Sequence, residues 1–282
     1  MSNRQQHTLG IDIGGTNIDI GLMAGGVLIQ KNSFAVDVFA DRQELLKQLI
    51  ESIGSFELNK VRGIGVGVPG IIDPENGFIF DLQNLPMWYK LPLGEILSKE
   101  FSLPVKLEND AGCFALGHAH YGLGQQSNNF VGLTLGTGLG MGIIINRTLY
   151  SGVLAGAGEI GMLPYNNGIV EEFAASAFFL RYYGQSAKDL HTQAQQGMDM
   201  ALEAFKEYGV HLGNAIKIVM SLLAPERIIL GGSIAQAFPY FKESMQDTIN
   251  EFEYSEQRER TKILYASGPE MGIMGAAALI AP

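Results

Sequence analysis

Hydrophobic and polar residues follow one pattern twice along this 282-residue chain. In the first half, residues 8–13, 18–23 and 27–34 are apolar and β-branched, with short turns between them. This spacing predicts antiparallel strands joined by hairpins. In the second half, residues 129–135 and 140–146 repeat the pattern around a Gly-Thr-Gly turn. The repetition predicts a duplicated α/β domain with a cleft between the two copies.

Apolar residues that recur every three to four positions predict helices between these strands. The predicted helices cover residues 41–52, 93–101, 110–121, 171–183, 198–223 and 274–281, and the further strands cover residues 61–68, 105–108, 227–230 and 261–265. Asp41 and Asn109 are residue types that cap helix N-termini, so they mark two of the helix starts. No low-complexity linker separates the halves, so the domain boundary is expected between packed elements, near Asn109.

The charge and the cysteine content of the chain argue against several kinds of partner and site. The formal net charge is −10 without a basic run, which argues against nucleic acid because phosphate contacts need clustered Lys and Arg. Cys113 is the only cysteine, so no intrachain disulfide or multi-thiolate zinc site can form. The polar N-terminus lacks a signal core, and no apolar run reaches the length of a membrane span. We therefore expect a cytoplasmic protein with no membrane partner.

The first glycine-rich turn follows the predicted strand at residues 8–13. Glycines at a strand end let backbone N–H groups approach phosphate oxygens, and the Asp12 carboxylate beside them suits a hydrated magnesium ion. The segment is neither a Walker loop nor a dinucleotide-binding turn, because both glycine spacings are absent. A plain hairpin with a structural aspartate explains this segment equally well.

A second turn of this kind, residues 135–140, lies at the equivalent place in the second half. Thr137 there could offer its hydroxyl to a phosphate, and two such turns in equivalent places strengthen the phosphate-binding interpretation. Residues 228–233 form a strand that ends in Gly231-Gly232-Ser233, and residues 271–277 are a small-residue helix start. Either could let an adenine lie against the backbone, and close helix–strand packing is the alternative for both.

Polar residues at the predicted strand-to-helix junction are candidates for the chemistry. Asp110 at the helix start is easily ionised, and a sugar hydroxyl needs a base within hydrogen-bond reach. Asn109 offers both a donor and an acceptor, which suits neighbouring sugar hydroxyls. Both residues could instead merely cap the helix. Glu159 and Glu171 could accept hydrogen bonds from sugar hydroxyls or could be solvated charges, and Trp88 could stack on a sugar or anchor a loop.

Taken in order along the chain, these segments resemble the ROK family of sugar kinases and sugar-responsive repressors, within the actin and hexokinase superfamily. The resemblance covers nearly the whole chain. It implies an α/β, two-domain actin-like ATPase (ribonuclease H-like) fold with the active site in the interdomain cleft. We expect an N-terminal α/β domain over residues 1–109, joined by the C-terminal helix at about residues 270–282, and a larger C-terminal α/β domain over residues 110–269.

The resemblance also implies roles for individual residues. Asp110 matches the base that deprotonates the sugar hydroxyl, usually the one on carbon 6. Asp12 matches the acid that holds Mg²⁺ through water or phosphate. The residues assigned to the sugar are Gly70, Asn84, Asn109, Asp110, Glu159 and Glu171. Those assigned to ATP are Asp12, Gly14, Gly15, Thr16, Asn17, Thr137, Gly138, Gly231 and Gly232.

The chain departs from the family pattern at three places. Met162 stands where the family usually has His, and Gly112 stands where it often has Asn. Residues 163–168 are short and lack the cysteines of the family's zinc loop. We therefore expect ATP and Mg²⁺ but no zinc, and the sugar identity is the part of the function that these departures affect.

The leading hypothesis is an ATP-dependent hexose kinase. Glucose is the first candidate sugar, from the Asn84–Trp88 loop and the range of the family, and N-acetylmannosamine, N-acetylglucosamine and fructose are alternatives. A sugar-responsive repressor is the second hypothesis, although only about ten residues precede Asp12, too few for a DNA-binding helix-turn-helix. A non-catalytic sugar-binding protein is the third, and the retained Asp110 argues against it. A homodimer is expected because similar proteins commonly form one.

Overall fold

The computed structural model describes residues 7–36, 41–82 and 85–280, which fold as a mixed α/β protein. The strands of the first half are β1 His7–Ile13, β2 Asn17–Ala24, β3 Val27–Ala35, β4 Val61–Val68, β5 Ile71–Asp73, β6 Phe78–Asp81 and β7 Val105–Asn109. Those of the second half are β8 Phe130–Leu135, β9 Leu139–Ile145, β10 Thr148–Leu149, β11 Pro164–Tyr165, β12 Gly168–Ile169, β13 Arg227–Gly231 and β14 Lys262–Tyr265. The helices are α1 Arg42–Gly54, α2 Leu93–Phe101, α3 Asp110–Tyr121, α4 Val170–Ala174, α5 Ser176–Tyr183, α6 Ala187–Gln195, α7 Asp199–Leu223, α8 Phe238–Asn250, α9 Ser255–Arg260 and α10 Met271–Ala278.

Two five-stranded sheets have the same strand order. The first runs β3-β2-β1-β4-β7 and the second runs β10-β9-β8-β13-β14. In each sheet the first three strands form antiparallel hairpins, and the last two strands run parallel to the central one. The duplication and the α/β class predicted from the sequence are therefore confirmed.

Each sheet has its own hydrophobic core. The first core surrounds strands β1 and β4 with α1 and α2, and it contains Trp88, whose side chain is fully buried. Trp88 is therefore a loop anchor and not a sugar-stacking surface. The second core lies between β8, β9 and β13 and the helices α5, α7 and α8, with Phe178, Phe205 and Phe241 at its centre. Burial of these large side chains is the main stabilising contribution on each side of the cleft.

Helices α3 and α10 pack together at backbone distance. A Cβ atom on Gly275 of α10 would lie 1.7 Å from the carbonyl oxygen of Cys113 in α3. A Cβ atom on Gly117 of α3 would lie 2.2 Å from the carbonyl oxygen of Met271 in α10. Real Cβ atoms do not approach so closely, so only glycine allows this crossing.

The same two helices rest directly on the two sheets. A Cβ atom on Gly65 of β4 would lie 1.7 Å from the carbonyl oxygen of Ala276 in α10. A Cβ atom on Gly142 of β9 would lie 2.1 Å from that of Ala111 in α3. The molecule is therefore a stack of four layers: the first sheet, α10, α3 and the second sheet. At each contact a glycine lets the two backbones approach closely.

One sequence prediction about the helices was wrong. The single helix predicted at residues 171–183 is two helices, α4 and α5, because Ala175 has an extended backbone (φ −132°, ψ −170°). The break exists because tertiary partners take the helical hydrogen bonds: Tyr208 donates its hydroxyl to the Ala174 carbonyl, and the Ser176 N–H donates to Gly136. The C-terminal helix α10 starts at Met271, within the range of about 270–282 that the resemblance implied, although apolar periodicity alone had placed its start at residue 274. Helices α6, α8 and α9 were not predicted.

Within the described ranges, none of the helices combines the length and the hydrophobicity that crossing a bilayer requires. The division at residues 109 and 110, with the C-terminal helix joining the N-terminal part, stays a prediction.

Replacing Gly275 with alanine should destabilise the fold because the new methyl group would overlap the Cys113 carbonyl. We expect Gly275→Ala to lower the free energy of unfolding by on the order of 1–3 kcal/mol, the usual cost of overpacking. Gly54→Ala is the matched control, because nothing lies within 4 Å of a Cβ atom at that helical position. It should leave stability unchanged or raise it by up to about 1 kcal/mol. Urea unfolding measures both, and equal stability of the two variants would contradict the close helix contact.

Candidate active site

Two cavities meet in the cleft between the two sheets. The first has a volume of about 300 Å³ and the second about 350 Å³. Both are lined by Gly14, Asp110, Thr134 and Gly232, so a ligand in one would face a ligand in the other across these residues. The first cavity is also bordered by Asn109, Gly15, Gly70, Thr137, Gly138, Met162, Glu159 and Glu171, among others.

Asp110 is the first residue of α3, directly after β7 ends. The side-chain oxygen Oδ1 of Asn109 accepts hydrogen bonds from the backbone N–H groups of Ala111 and Gly112 at 3.0 and 3.3 Å. Asn109 is thus the helix cap that the sequence suggested, and its Nδ2 amide remains a donor that can face a ligand. Asn109 can therefore cap α3 with its oxygen and contact a ligand with its amide nitrogen at the same time.

Burial raises the pKa of the Asp110 carboxyl, and the nearby charge of Glu159 raises it further. The backbone N–H of Ala111, which donates to Asp110 Oδ1 at 2.8 Å, works in the opposite direction. A carboxylate whose proton affinity is increased in this way is a better general base near neutral pH.

Glu108 connects this junction to the other side of the cleft. Its side chain is buried, with Oε1 accepting from the Asn109 N–H at 2.8 Å and Oε2 accepting from the Ser151 hydroxyl at 2.6 Å. Ser151 belongs to the segment that leads to Glu159. The two halves of the chain are therefore hydrogen-bonded next to Asp110.

Asp12 lies at the end of β1 with its carboxylate against helix α10. Its Oδ2 occupies the place where a Cβ atom of Gly272 would be, at 2.3 Å. Burial raises the pKa of Asp12 to about 7, the charges of Asp110 and Asp19 raise it too, and Lys31 opposes them. In the described part of the chain no hydrogen-bond donor contacts this carboxylate.

The Asp12 environment fits a magnesium ion. Mg²⁺ prefers oxygen ligands, and the Asp12 carboxylate lines the second cavity beside Asp110, where a cation would offset the two negative charges. Among the described residues no three His, Cys, Asp or Glu side chains converge on one point, so water or phosphate oxygens would have to complete the coordination. That zinc is not used stays a prediction.

Glu171 and Glu159 border the first cavity from the segment opposite Asp110. Glu171 Oε2 accepts from the backbone N–H of Leu139 at 2.9 Å, so it also fixes the turn between β8 and β9. Burial raises the pKa of Glu159, and the Glu171 charge adds to the increase. The Met162 side chain, at the same wall, is 43% exposed.

Some assigned residues do not line either cavity. The exposed Thr16 and Asn17 lie at the outer side of the first turn, where the Asn17 carbonyl accepts from the Gly14 N–H. Gly231 faces the Phe114 ring, which a Cβ atom would approach to 2.4 Å, and this is the close-packing alternative. Asn84 lies outside the described residues. The roles of all assigned residues stay predictions.

The second cavity includes residues that the sequence interpretation did not assign. They are Phe114, Thr134, Gln236, Ala266, Ser267, Gly268 and Pro269, and the cavity also includes Ser233 and Gly272 from the two segments considered for adenine. Ser267, Gly268 and Pro269 follow β14 after one residue, Ala266, and β14 runs parallel to β13. Ligands commonly bind at the carboxyl ends of parallel strands, so this Ser-Gly-Pro turn after a predicted strand was the available signal.

Comparisons with known proteins cover nearly the whole chain. The ROK family matches residues 8–282. The glucokinase of Thermotoga maritima is 28% identical, over 81% of this chain and 82% of its own length. A xylose repressor of Caldicellulosiruptor bescii is also 28% identical, over 90% of this chain and 73% of its own length.

A solved structure has the same architecture. A ROK family glucokinase from Streptomyces griseus, in complex with glucose and AMPPNP, superposes with a TM-score of 0.85 at 25% identity. The superposition covers 97% of this chain and 98% of that one. The fold is therefore the two-domain actin-like ATPase fold that the sequence resemblance implied. Since the family match leaves only the first seven residues uncovered, this chain belongs to the ROK family.

Proposed function

We propose that this protein is an ATP-dependent sugar kinase that transfers the γ-phosphate of ATP to a hexose hydroxyl. The observation that carries the proposal is the meeting of two cavities at Asp110. A phosphoryl transfer needs two substrates, one on each side of a base, held so that the nucleophile and the phosphorus are adjacent. The similarity to glucokinases supports the same reaction.

The first cavity has the chemistry of a sugar site. Glu159 and Glu171 can accept hydrogen bonds from hydroxyls, the Asn109 amide can donate one, and Asp110 can accept the proton of the reacting hydroxyl. A volume of about 300 Å³ is at the lower end of the usual range for small-molecule pockets, as a single hexose requires.

The second cavity has the chemistry of a nucleotide site without basic side chains. The described residues that line the two cavities include no lysine and no arginine. A triphosphate would therefore be held by backbone N–H groups of the glycine turns and by hydroxyls such as those of Ser233 and Ser267. The negative charge of a triphosphate beside the carboxylates of Asp12 and Asp110 also requires a cation. This requirement supports Mg²⁺.

The reaction would follow from this arrangement in one step. Asp110 accepts the proton of the sugar hydroxyl while the hydroxyl oxygen attacks the γ-phosphorus of ATP in line. The new sugar O–P bond forms, the bridging P–O bond to the β-phosphate breaks, and ADP leaves. Asp12 would hold Mg²⁺ through water or phosphate, and the ion supplies positive charge to the phosphate oxygens. The turns at Gly14 and Gly138 would contribute N–H groups to those oxygens.

Glucose is the proposed sugar, with carbon 6 carrying the reacting hydroxyl, because the glucokinase of Thermotoga maritima is 28% identical to this chain and the glucokinase of Streptomyces griseus has the same fold. N-acetylmannosamine, N-acetylglucosamine and fructose are the alternatives. Cytoplasmic location and a homodimer remain part of the proposal.

A sugar-responsive transcriptional regulator is the second candidate, because a xylose repressor matches 90% of this chain. A net charge of −10 disfavours direct binding to DNA. A salt-dependent mobility shift with duplex DNA, altered by sugar, would favour the regulator. A protein that binds sugar but shows neither kinase turnover nor DNA binding would instead be a non-catalytic sugar-binding protein.

The proposal is tested by a coupled ADP-release assay over a panel of sugars, with ATP and Mg²⁺ and with zinc left out. We expect sugar-dependent ADP release with at least one hexose of the panel, and glucose to be the best. ADP release that is independent of every sugar would contradict the proposal.

Asp110→Asn should remove the base and preserve the shape of the side chain. We expect kcat to fall about a hundredfold or more, the usual contribution of a general base. Because burial disfavours the charged carboxylate at this position, the variant should unfold at the same temperature as the wild type or higher. Asp247→Asn on the exposed face of α8 is the matched control and should keep full activity. Undiminished turnover of Asp110→Asn would rule out its role.

Asp12→Asn should separate stability from activity. Burial raises the pKa of Asp12 from 3.8 to about 7 in the folded protein, so ionised Asp12 opposes folding above pH 7 and this effect disappears as the pH falls below 4. The variant should therefore be more stable than the wild type at pH 8, by up to about 4 kcal/mol because each pKa unit corresponds to about 1.4 kcal/mol, and equal to it near pH 4.

The same variant should bind magnesium more weakly, because Asp12 is the residue proposed to hold the ion. We expect the concentration of Mg²⁺ for half-maximal activity to rise about tenfold or more, as for other losses of a metal-positioning group. Thermal unfolding at both pH values and a magnesium titration of the kinase assay provide the measurements. A variant that is less stable at pH 8, or that has an unchanged magnesium requirement, would show that Asp12 has another role.

A further inference from the structure

A small hairpin connects the two glutamates of the first cavity. Strands β11 and β12 pair through Pro164 with Ile169 and through Tyr165 with Gly168. The hairpin starts after the segment that carries Glu159 and ends at α4, which carries Glu171. The Val170 N–H donates to the Leu163 carbonyl at 2.9 Å and closes its base. Its residues include the short stretch 163–168, to which the mechanism above gives no role.

Tyr165 attaches this hairpin to the long helix α7. Its hydroxyl lies 3.0 Å from Nδ1 of His211, and Nδ2 of Asn214 donates to the same hydroxyl at 3.0 Å. Both partners lie on α7, three residues apart, so they are on one face of that helix. The hydroxyl therefore accepts one hydrogen bond from α7 and is placed to donate another to it.

The direction of these hydrogen bonds follows from the charge states. Burial raises the pKa of Tyr165 and lowers the pKa of His211, so both side chains are neutral near pH 7. A neutral imidazole accepts at one nitrogen, and Asn214 already donates to the hydroxyl. In the His211 tautomer that carries its proton on Nε2, the Tyr165 O–H donates to Nδ1. All three groups have complementary partners in this arrangement.

Ring packing extends the contact to α4. The Phe173 ring of α4 lies 5.3 Å from the Tyr165 ring and 5.1 Å from the His211 ring, measured between centroids. Phe173 is buried and follows Glu171 by two residues in the same short helix. Because α4 has only five residues, its position depends on such contacts more than on its own helical hydrogen bonds.

We propose that Tyr165, His211 and Asn214, with Phe173 packed against them, are positioning residues that hold Glu159 and Glu171 against the sugar. We call these four residues the Tyr165 cluster. The inference rests on the proposed kinase function. None of the four lines the sugar cavity, so the cluster acts through the hairpin and α4. The cluster should therefore affect the affinity for sugar and leave the affinity for ATP unchanged.

Tyr165→Phe tests the proposal because it removes both hydrogen bonds and keeps the ring. Because the hairpin then loses its two side-chain hydrogen bonds to α7, the glutamates are held less firmly and we expect the KM for sugar to rise about three- to tenfold. The KM for ATP and kcat should stay within about twofold, since the second cavity and Asp110 are untouched. The probe is glucose, or the panel sugar that the wild-type protein phosphorylates fastest.

Tyr183→Phe is the matched control. The Tyr183 hydroxyl donates to Oε2 of Glu207 on the same helix α7 at 2.8 Å, and the Tyr183 ring packs against Phe178 of α5. This variant loses a comparable hydrogen bond and should keep the wild-type KM for sugar. A second pair, His211→Asn and His211→Leu, separates the acceptor from the ring. Asparagine can present an oxygen near the Nδ1 position, so it should retain a lower KM for sugar than leucine.

The results that would overturn the role of the Tyr165 cluster differ from those that would overturn the kinase function. Binding of the same sugar without ATP, measured by calorimetry, should weaken by the same factor in Tyr165→Phe. If Tyr165→Phe lowers the melting temperature but leaves sugar KM and sugar binding unchanged, the cluster is only structural and the proposal is overturned. Should Tyr165→Phe fail to fold, equal sugar KM values in the two His211 variants would overturn it. A wild-type protein without kinase activity on any sugar, which nevertheless binds sugar, would contradict the proposed function alone.

Discussion

The backbone contact between α3 and α10 determines where the chemistry of this protein lies. Asp110 is the first residue of α3, and Gly272 near the start of α10 borders the Asp12 carboxylate. The crossing at Gly117 and Gly275 therefore sets the distance between the two acids. A larger residue at either glycine would separate the helices and move a whole sheet with each. Rigid sheets thus meet through two helices whose N-terminal ends both face the cleft.

Four carboxylates collect at that cleft, and this has a cost in stability. Burial raises the pKa of Asp12, Asp110 and Glu159, which means that the folded protein resists their ionisation. Under the proposed function, sugar hydroxyls would donate to the glutamates and Mg²⁺ would offset the charge of Asp12. The site is therefore expected to be less stable empty than filled, and ligands that bind only the folded state raise its stability.

Local patterns in the sequence predicted the parts of the structure that depend on local physics. The repeated strand–turn–strand pattern implied two equivalent sheets, and Asn109 was recognised as a helix cap because capping involves only the next three residues. The helix break at Ala175 could not be predicted, because it depends on Tyr208 and Gly136, which are distant in sequence.

In the candidate site, too, features that depend on local sequence could be predicted and features that depend on distant contacts could not. Residues at strand ends and turns could be assigned from motifs, and most of them border the two cavities. Ser267 and Pro269 were missed because their place depends on β14 pairing with β13. The contact of Tyr165 with His211 joins positions 46 residues apart and has no local signature. Gly231 was assigned to ATP because a glycine at a strand end has two uses, and here it faces the Phe114 ring.

The most direct measurement is a crystal structure with glucose and a non-hydrolysable ATP analogue together. The account predicts the sugar in the cavity lined by Glu159 and Glu171, with its 6-hydroxyl within hydrogen-bond distance of Asp110. It predicts the nucleotide in the cavity lined by Ser233 and Ser267, with its γ-phosphate near Gly14 and Gly138. A sugar whose hydroxyls do not reach Asp110, or a nucleotide bound outside this cleft, would contradict it.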